Sequence, residues 1–208
     1  MKKTNYHTHT YRCGHANGNE EDMIQAAIDM GIEELGMCCH VPFPHYRKHL
    51  IRSLPSVRGV RSLLSLLKAI IKDGPNMRMP YRDMETHLEL LSQYQKSYED
   101  KIKIYKGFEA EGLSVYFDYY QKLLYEHKVD YLILGHHFHK HCISNDYFGK
   151  EKMTKKDIYL YCNDVEKALE TNLFSYLAHP DLFLIGYNQF DLDVQTVSRR
   201  ICQKAKDL

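Results

Sequence analysis

Histidine is the residue type that first suggests chemistry in this sequence. The chain has 13 histidines among 208 residues, and they are not gathered in a terminal tag. Histidine is the commonest metal ligand and the natural acid or base near neutral pH. In the tripeptide from His7 to His9, both rings would point to one face of an extended backbone and could bind one ion. Taken alone, such a pair also fits two solvated surface histidines, and His15 alone fits an ordinary loop residue.

Further candidate residues stand at the ends of predicted strands. Five short strand-like segments end in, or within two residues of, a histidine or a glutamate: His7, His40, Glu109, His137 and His179. In a parallel α/β barrel all strands point the same way, so groups at strand ends converge on one rim, where catalytic groups gather. Neutral imidazoles with a carboxylate suit Zn, Mn or Fe, and the absence of obligatory thiolates argues against a closed structural zinc site. The pattern therefore predicts an open, hydrolytic metal centre.

Alternating strands and helices would position these groups. Strands are predicted at 3–7, 35–40, 101–109, 130–137 and 174–181, and helices at 20–31, 81–99, 116–127, 154–170 and 193–208. The order β then α then β favours a parallel sheet. Residues 44–80, which hold a helical stretch at 63–71, predict an excursion over the barrel mouth. The length suits one domain, which we expect to span residues 1–208.

Bulk composition restricts the partners. The formal charge is +1, from 28 basic and 27 acidic residues, so nothing indicates binding to nucleic acid or to an anionic membrane. We expect a small-molecule partner and leave a homo-oligomer open. Six cysteines without CxxC spacing suit reduced thiols, and neither a membrane-spanning apolar run nor a signal peptide is visible. These features predict a cytoplasmic protein.

Five motifs carry a resemblance to a known family. The runs HTHTYRCGHA, H before VPFP, IYKGFEAEGL, VDYLILGHHF and LAHPDL resemble, in order and spacing, the motifs of histidinol phosphatases of the PHP superfamily. The resemblance implies a distorted (β/α)7 TIM-like barrel with two or three divalent ions (Zn, Mn or Fe) and hydrolysis of L-histidinol phosphate in histidine biosynthesis. By motif position it implies the metal ligands His7, His9, His15, His40, Glu109, His137 and His179. Glu109 would be the bridging carboxylate.

Several of these assignments have rivals. Only one of two adjacent strand residues can face the site, and we choose His137 over His136 because it directly precedes Phe in the motif. Glu111 would point to the same side as Glu109 if the strand continues, so it is an alternative bridge. Four further histidines are expected to be mobile and solvated, with contact to substrate as the alternative: His45, His49, His139 and His141. His87 and His127 lie on predicted helices and are expected to be surface or packing residues.

Two departures from the family pattern stand out. Cys39 precedes His40 where such proteins usually carry an acidic residue that orients the metal-binding histidine, so the groups that orient His40 are expected to differ. Burial is the better interpretation of Cys38 and Cys39, with soft metal ligation as the alternative. The chain also ends at Leu208 before the family's late Asp-x-His motif. We therefore expect a barrel that lacks its C-terminal strands, as a fragment or with the gap filled by a neighbouring chain.

The predicted reaction is metal-assisted phosphomonoester hydrolysis. Clustered cations would activate a water and neutralise the phosphate oxygens, and Arg12 beside the metal loop could clamp phosphate. Alternatives are another phosphomonoester or a phosphodiester as substrate, or a non-catalytic metal-binding module if the missing ligands are a natural loss. A Ser-His-Asp hydrolase is disfavoured because the sequence has no GxSxG elbow.

Overall fold

Five parallel strands form one sheet in the computed structural model of the chain, which describes residues 2–14, 16–48, 59–72, 74, 77–139 and 147–207. The strands are β1 (Thr4–Thr8), β2 (Glu34–His40), β3 (Lys103–Ala110), β4 (Tyr131–Leu134) and β5 (Tyr176–Leu177). All neighbouring pairs are parallel, as the β-α-β order predicts. The last two strands are shorter than predicted: β4 ends at Leu134, so His136 and His137 lie in the loop that follows it.

Helices alternate with the strands, and three of the described helices begin at a side-chain cap: Asn19, Thr154 and Asp191. The helices are α1 (Glu20–Asp29), α2 (Gly59–Lys72), α3 (Met84–Ser97), α4 (Phe117–Tyr125), α5 (Lys155–Leu169) and α6 (Leu192–Lys206). The predicted start at Thr154 is confirmed, because Thr154 and Asp157 form a reciprocal capping box before α5. The predicted stop after α1 is also confirmed, since Gly31 adopts the left-handed backbone (φ 67°) that ends the helix.

The strand order identifies the architecture. Spatial order follows chain order, β1-β2-β3-β4-β5, whereas a doubly wound sheet would reverse its order at a switch point. The sheet is curled into a half-barrel, which is the arrangement expected of a TIM-like fold. β2 is buried on both faces from Leu35 to His40, as a strand covered by helices on one side and by the barrel interior on the other should be. The carboxyl ends of all five strands consequently lie at one rim.

One tyrosine of β4 forms a hydrogen bond to β1. Tyr131 reaches across the sheet, and its hydroxyl donates a hydrogen bond of 2.7 Å to the carbonyl oxygen of Tyr6. The Tyr131 ring crosses β2 and β3, and only glycine leaves room for it on each of these strands. A Cβ at Gly36 would lie 2.0 Å from its hydroxyl oxygen, and one at Gly107 would lie 2.4 Å from its ring. The bond holds the end of β1 in place just before His7.

The excursion between β2 and α3 packs against the rim. Leu66 and Ala69 of α2 are buried in one apolar cluster with Val41, Phe43 and Tyr46, which follow β2. In a second apolar cluster, α6 buries a stripe spaced as predicted, with Val194, Val197 and Ile201 against α5. Each such side chain contributes about 1.5–3 kcal/mol to folding. None of the described helices is long and apolar enough to cross a membrane.

Candidate metal centre

Glu109 is the middle of a histidine cluster at the rim. Its side chain is buried, at the end of β3, and β2 places His40 directly beside it in register. Five histidines from four loops or strand ends bring a ring nitrogen within 3.5 Å of its carboxylate oxygens: His7 (3.2 Å), His9 (3.1 Å), His40 (3.0 Å), His137 (3.5 Å) and His179 (2.7 Å). Parallel strands thus bring together residues that are up to 172 positions apart in sequence.

The cluster divides into two groups that share Glu109. His7 and His179 form one group with Glu109, and His9 and His40 form the other, each with its three donor atoms within 4.8 Å of one another. The Nε2 atoms of His7 and His9 lie only 3.0 Å apart. Each group therefore offers three nitrogen or oxygen donors, and Glu109 is a member of both.

Burial and neighbouring groups set the protonation states of Glu109 and His40. Burial raises the pKa of Glu109, but hydrogen bonds from His179 and His7 outweigh it and hold that pKa well below its usual range. Burial also lowers the pKa of His40 well below its usual value, and the Arg78 charge adds to this effect. An ionised carboxylate beside a neutral, deprotonated imidazole is the state that metal ligation requires.

Two backbone features open space for this arrangement. A Cβ at Gly135 would lie 2.0 Å from the Oε1 atom of Glu109 and 2.5 Å from its Cδ atom, so only glycine leaves room for the carboxylate. His179 has a left-handed backbone with φ 31°, a conformation that is strained for a non-glycine residue. Residues with such strained backbones cluster at functional sites. The His179 ring lies 2.7 Å from Glu109 two residues after β5 ends.

Glu111 supports the cluster without facing Glu109 directly. One of its oxygens lies 2.9 Å from the Nδ1 atom of His137, and the other accepts the backbone N–H groups of His137 and Phe138 at 2.6 and 3.2 Å. Arg78, which is also buried, pairs with Glu111 and donates to the carbonyl oxygen of Val41 at 3.1 Å. Burial raises the pKa of Glu111, but His137 and Arg78 lower it to about 2.

A separate network holds Arg12. Its Nε atom donates to Glu20 at the start of α1, and the Nδ1 atom of His87 lies 3.0 Å from the same carboxylate. Burial raises the pKa of Glu20, but hydrogen bonds from His87 and Arg12 lower it to about 2. His87 is fully buried on α3, so of the two expectations for it, packing is confirmed and a surface position is wrong.

The remaining sequence candidates lie elsewhere. His136 faces away from Glu109: it is buried, accepts the Gly112 N–H at 3.1 Å and lies 3.4 Å from Asp164. His139 also contacts Asp164, at 2.7 Å, whereas His45 and His127 are exposed as expected. His15, His49 and His141 fall outside the described residues. Arg78 and Asp164 were not predicted, because neither stands in a motif or at a strand end.

The donor set fits divalent cations. The ring nitrogens face a shared carboxylate at 2.7–3.5 Å, which is close to the spacing of neighbouring ligands around one ion. Imidazole with carboxylate suits Zn, Mn and Fe, as the sequence predicts. The roles of the individual residues as ligands stay a prediction.

Comparison with known proteins gives one family match and two structural neighbours. The family model described as PHP domain matches residues 5–207. The solved structure of the provisionally named histidinol phosphatase hisK from Listeria monocytogenes is 20% identical, with a TM-score of 0.72 over 99% of this chain and 79% of that one. Histidinol phosphate phosphatase from Lactococcus lactis subsp. lactis Il1403, solved with Zn, L-histidinol and phosphate, is 15% identical, with a TM-score of 0.58 over 98% and 69%. No curated protein matches the chain.

Proposed function

The chain belongs to the PHP family, and on that premise we propose that it is a metal-dependent phosphomonoesterase acting on L-histidinol phosphate. One observation carries the proposal: a buried carboxylate, Glu109, has five imidazole rings around it at the rim where a parallel barrel keeps its active site. Two or three divalent ions, Zn, Mn or Fe, are the cofactors that this donor set would hold.

Seven residues would hold the ions in the proposed centre. They are His7, His9, His15, His40, Glu109, His137 and His179, of which His15 lies outside the described residues. Bound divalent ions would supply positive charge that neutralises phosphate oxygens and lowers the pKa of a water. Glu109 would be a ligand in both histidine groups, the one with His7 and His179 and the one with His9 and His40. Glu111 would accept a hydrogen bond from the Nδ1–H group of His137, which leaves the Nε2 atom of that ring as the ligand.

The substrate is inferred from likeness and from the chemistry of the rim. The Lactococcus lactis structure holds L-histidinol and phosphate together with Zn, and the fold of this chain follows that protein over 98% of its length. A cluster of cations at an open rim suits a dianionic phosphomonoester with a small leaving group. We propose L-histidinol phosphate on this basis, with a different phosphoester as the alternative.

The full chain, stripped with a chelator and reloaded with Zn, Mn or Fe, tests the function. We expect hydrolysis of histidinol phosphate to disappear on chelation and to return with at least one ion. Sugar phosphates and a phosphodiester, assayed in parallel, should give lower kcat/KM. A preference for one of those substrates would correct the substrate assignment. Failure of the metal-loaded chain to hydrolyse any phosphoester would favour a non-catalytic metal-binding module.

Arg12 is proposed to bind the phosphate through its terminal nitrogens. Its Nε atom is held by Glu20, and the described residues offer the two Nη groups no hydrogen bond. Because a hydrogen bond to a charged group contributes about 1.5–3 kcal/mol, Arg12→Gln should lower kcat/KM by roughly 10–100-fold. Arg200→Gln, which removes an arginine paired with Glu166 on a distant helix, is the matched control. An unchanged kcat/KM with lowered stability would leave Arg12 as a structural residue only.

The remaining expectations are proposals of the same kind. We propose that the five described strands are part of a distorted (β/α)7 barrel in a single PHP domain. We also propose a cytoplasmic setting, which is supported by the five free cysteines among the described residues. Self-association stays a prediction.

A further inference from the structure

Two buried thiols lie on the side of His9 that faces away from Glu109. The Nε2 atom of His9 is 3.1 Å from Glu109, whereas its Nδ1 atom is 3.4 Å from the Sγ atom of Cys13. Cys13 in turn hydrogen-bonds to Cys39, and both are fully buried. The three donor atoms of His9, Cys13 and Cys39 lie within 4.8 Å of one another. They come from the loop after β1 and from β2, two neighbouring elements of the sheet.

We propose that His9 Nδ1, Cys13 Sγ and Cys39 Sγ form a second metal site, for a thiophilic divalent ion such as Zn²⁺ or Cd²⁺, beside the Glu109 centre. This site goes beyond the proposed phosphatase function and does not require it. Each ring nitrogen of His9 faces one of the two sites. The neutral ring has one nitrogen free to bind an ion, so His9 would bind ions of both sites at once only as a bridging imidazolate.

The donor spacing fits a tetrahedral ion. With a Zn–N bond of about 2.0 Å and a Zn–S bond of about 2.3 Å, tetrahedral geometry places the nitrogen and sulfur about 3.5 Å apart. The observed separation of His9 Nδ1 and Cys13 Sγ is 3.4 Å. This pair of donors therefore lies at the distance that a shared ion requires, and Cys39 Sγ is within 4.8 Å of both.

Hydrogen-bonding groups surround both sulfur atoms. The backbone N–H of His40 donates to Cys13 Sγ at 3.3 Å, and the hydroxyl of Thr10 lies 3.4 Å from Cys39 Sγ. Such hydrogen bonds orient ligands and are typical of the shell around a metal site. Two thiolates and a neutral imidazole cancel the charge of a divalent ion, so the loaded site is neutral and burial costs little. A soft thiolate pair also selects Zn²⁺ or Cd²⁺ over Mg²⁺ or Mn²⁺.

Cobalt absorbance tests the site directly. Because Cys202 is exposed and Cys142 lies outside the described residues, all proteins carry Cys142→Ser and Cys202→Ser. Titration of the metal-free full chain with Co²⁺ should give a near-ultraviolet thiolate-to-cobalt charge-transfer band. Cys13→Ser and Cys39→Ser should each abolish it and lower Cd²⁺ binding by one ion per chain. Cys38→Ser is the matched control, because this neighbour packs with Ile133 and Ala178 instead, and it should keep the band.

X-ray absorption at cadmium is the second measurement. It uses the Cd²⁺-loaded protein that carries only Cys142→Ser and Cys202→Ser, so Cys13 and Cys39 are both present. Sulfur neighbours around cadmium are expected. A cadmium shell of nitrogen and oxygen alone, or a cobalt band that persists in both cysteine variants, would overturn the site and leave the thiols as hydrogen-bond partners of His9. Loss of phosphatase activity has no bearing on either spectrum, so the two proposals fail separately.

Discussion

Glu109→Gln is expected to lower kcat/KM for histidinol phosphate by more than about 100-fold, because loss of a group that merely orients a metal ligand already costs about 10–100-fold. The amide can offer one neutral oxygen where the carboxylate offers two charged ones, so both groups of histidines lose their shared anion. Metal content, measured by elemental analysis of the purified variant, should fall together with activity.

Glu85→Gln provides the control for this change. Glu85 is an exposed residue of α3 that pairs with Lys128 on the surface, and its loss should alter neither metal content nor turnover. Circular dichroism of the two variants would show whether the fold is retained. An active Glu109→Gln protein with its full complement of ions would remove Glu109 from the bridging position.

Glu111→Gln is expected to reduce both stability and activity, for two different reasons. Arg78 would keep its buried charge but lose the Glu111 carboxylate, and breaking a buried ion pair in this way typically costs about 3–5 kcal/mol of unfolding free energy. The ring of His137 would lose its anionic acceptor, and we expect kcat/KM to fall by about 10–100-fold. Urea denaturation and steady-state kinetics measure the two effects.

A double variant separates the two effects. Replacing a buried ion pair by uncharged groups is often neutral or stabilising, so Arg78→Met with Glu111→Gln should recover most of the lost unfolding free energy. Activity should stay low, because His137 is still without its carboxylate. If the double variant regained full activity, the role of Glu111 would be to neutralise Arg78 and not to position His137.

The sequence predicts the strand ends of the site well, since the responsible signals are local. His40 and Glu109 each close a short apolar or alternating segment, and parallel register then places them side by side. The choice of His137 over His136 also agrees with the geometry, although β4 ends before either residue. Convergence on one rim follows from the β-α-β order alone.

Other parts of the site have no local signal. Arg78 lies in an irregular segment before α3, and only the folded chain brings it to Glu111, 33 residues away. The pairing of Cys13 with Cys39 likewise depends on how the loop after β1 lies against β2, where the register shifts between Asn5 and Thr8. Sequence reasoning predicted burial for Cys39 but could not supply its neighbour.

The glycine at position 135 restricts how this protein can be altered in the laboratory or by evolution. A methyl group there would occupy the space of the Glu109 carboxylate, so even alanine should displace the residue on which the cluster is built. Libraries that aim to broaden substrate range are therefore better directed at the loops after the strands, while codon 135 is left unchanged.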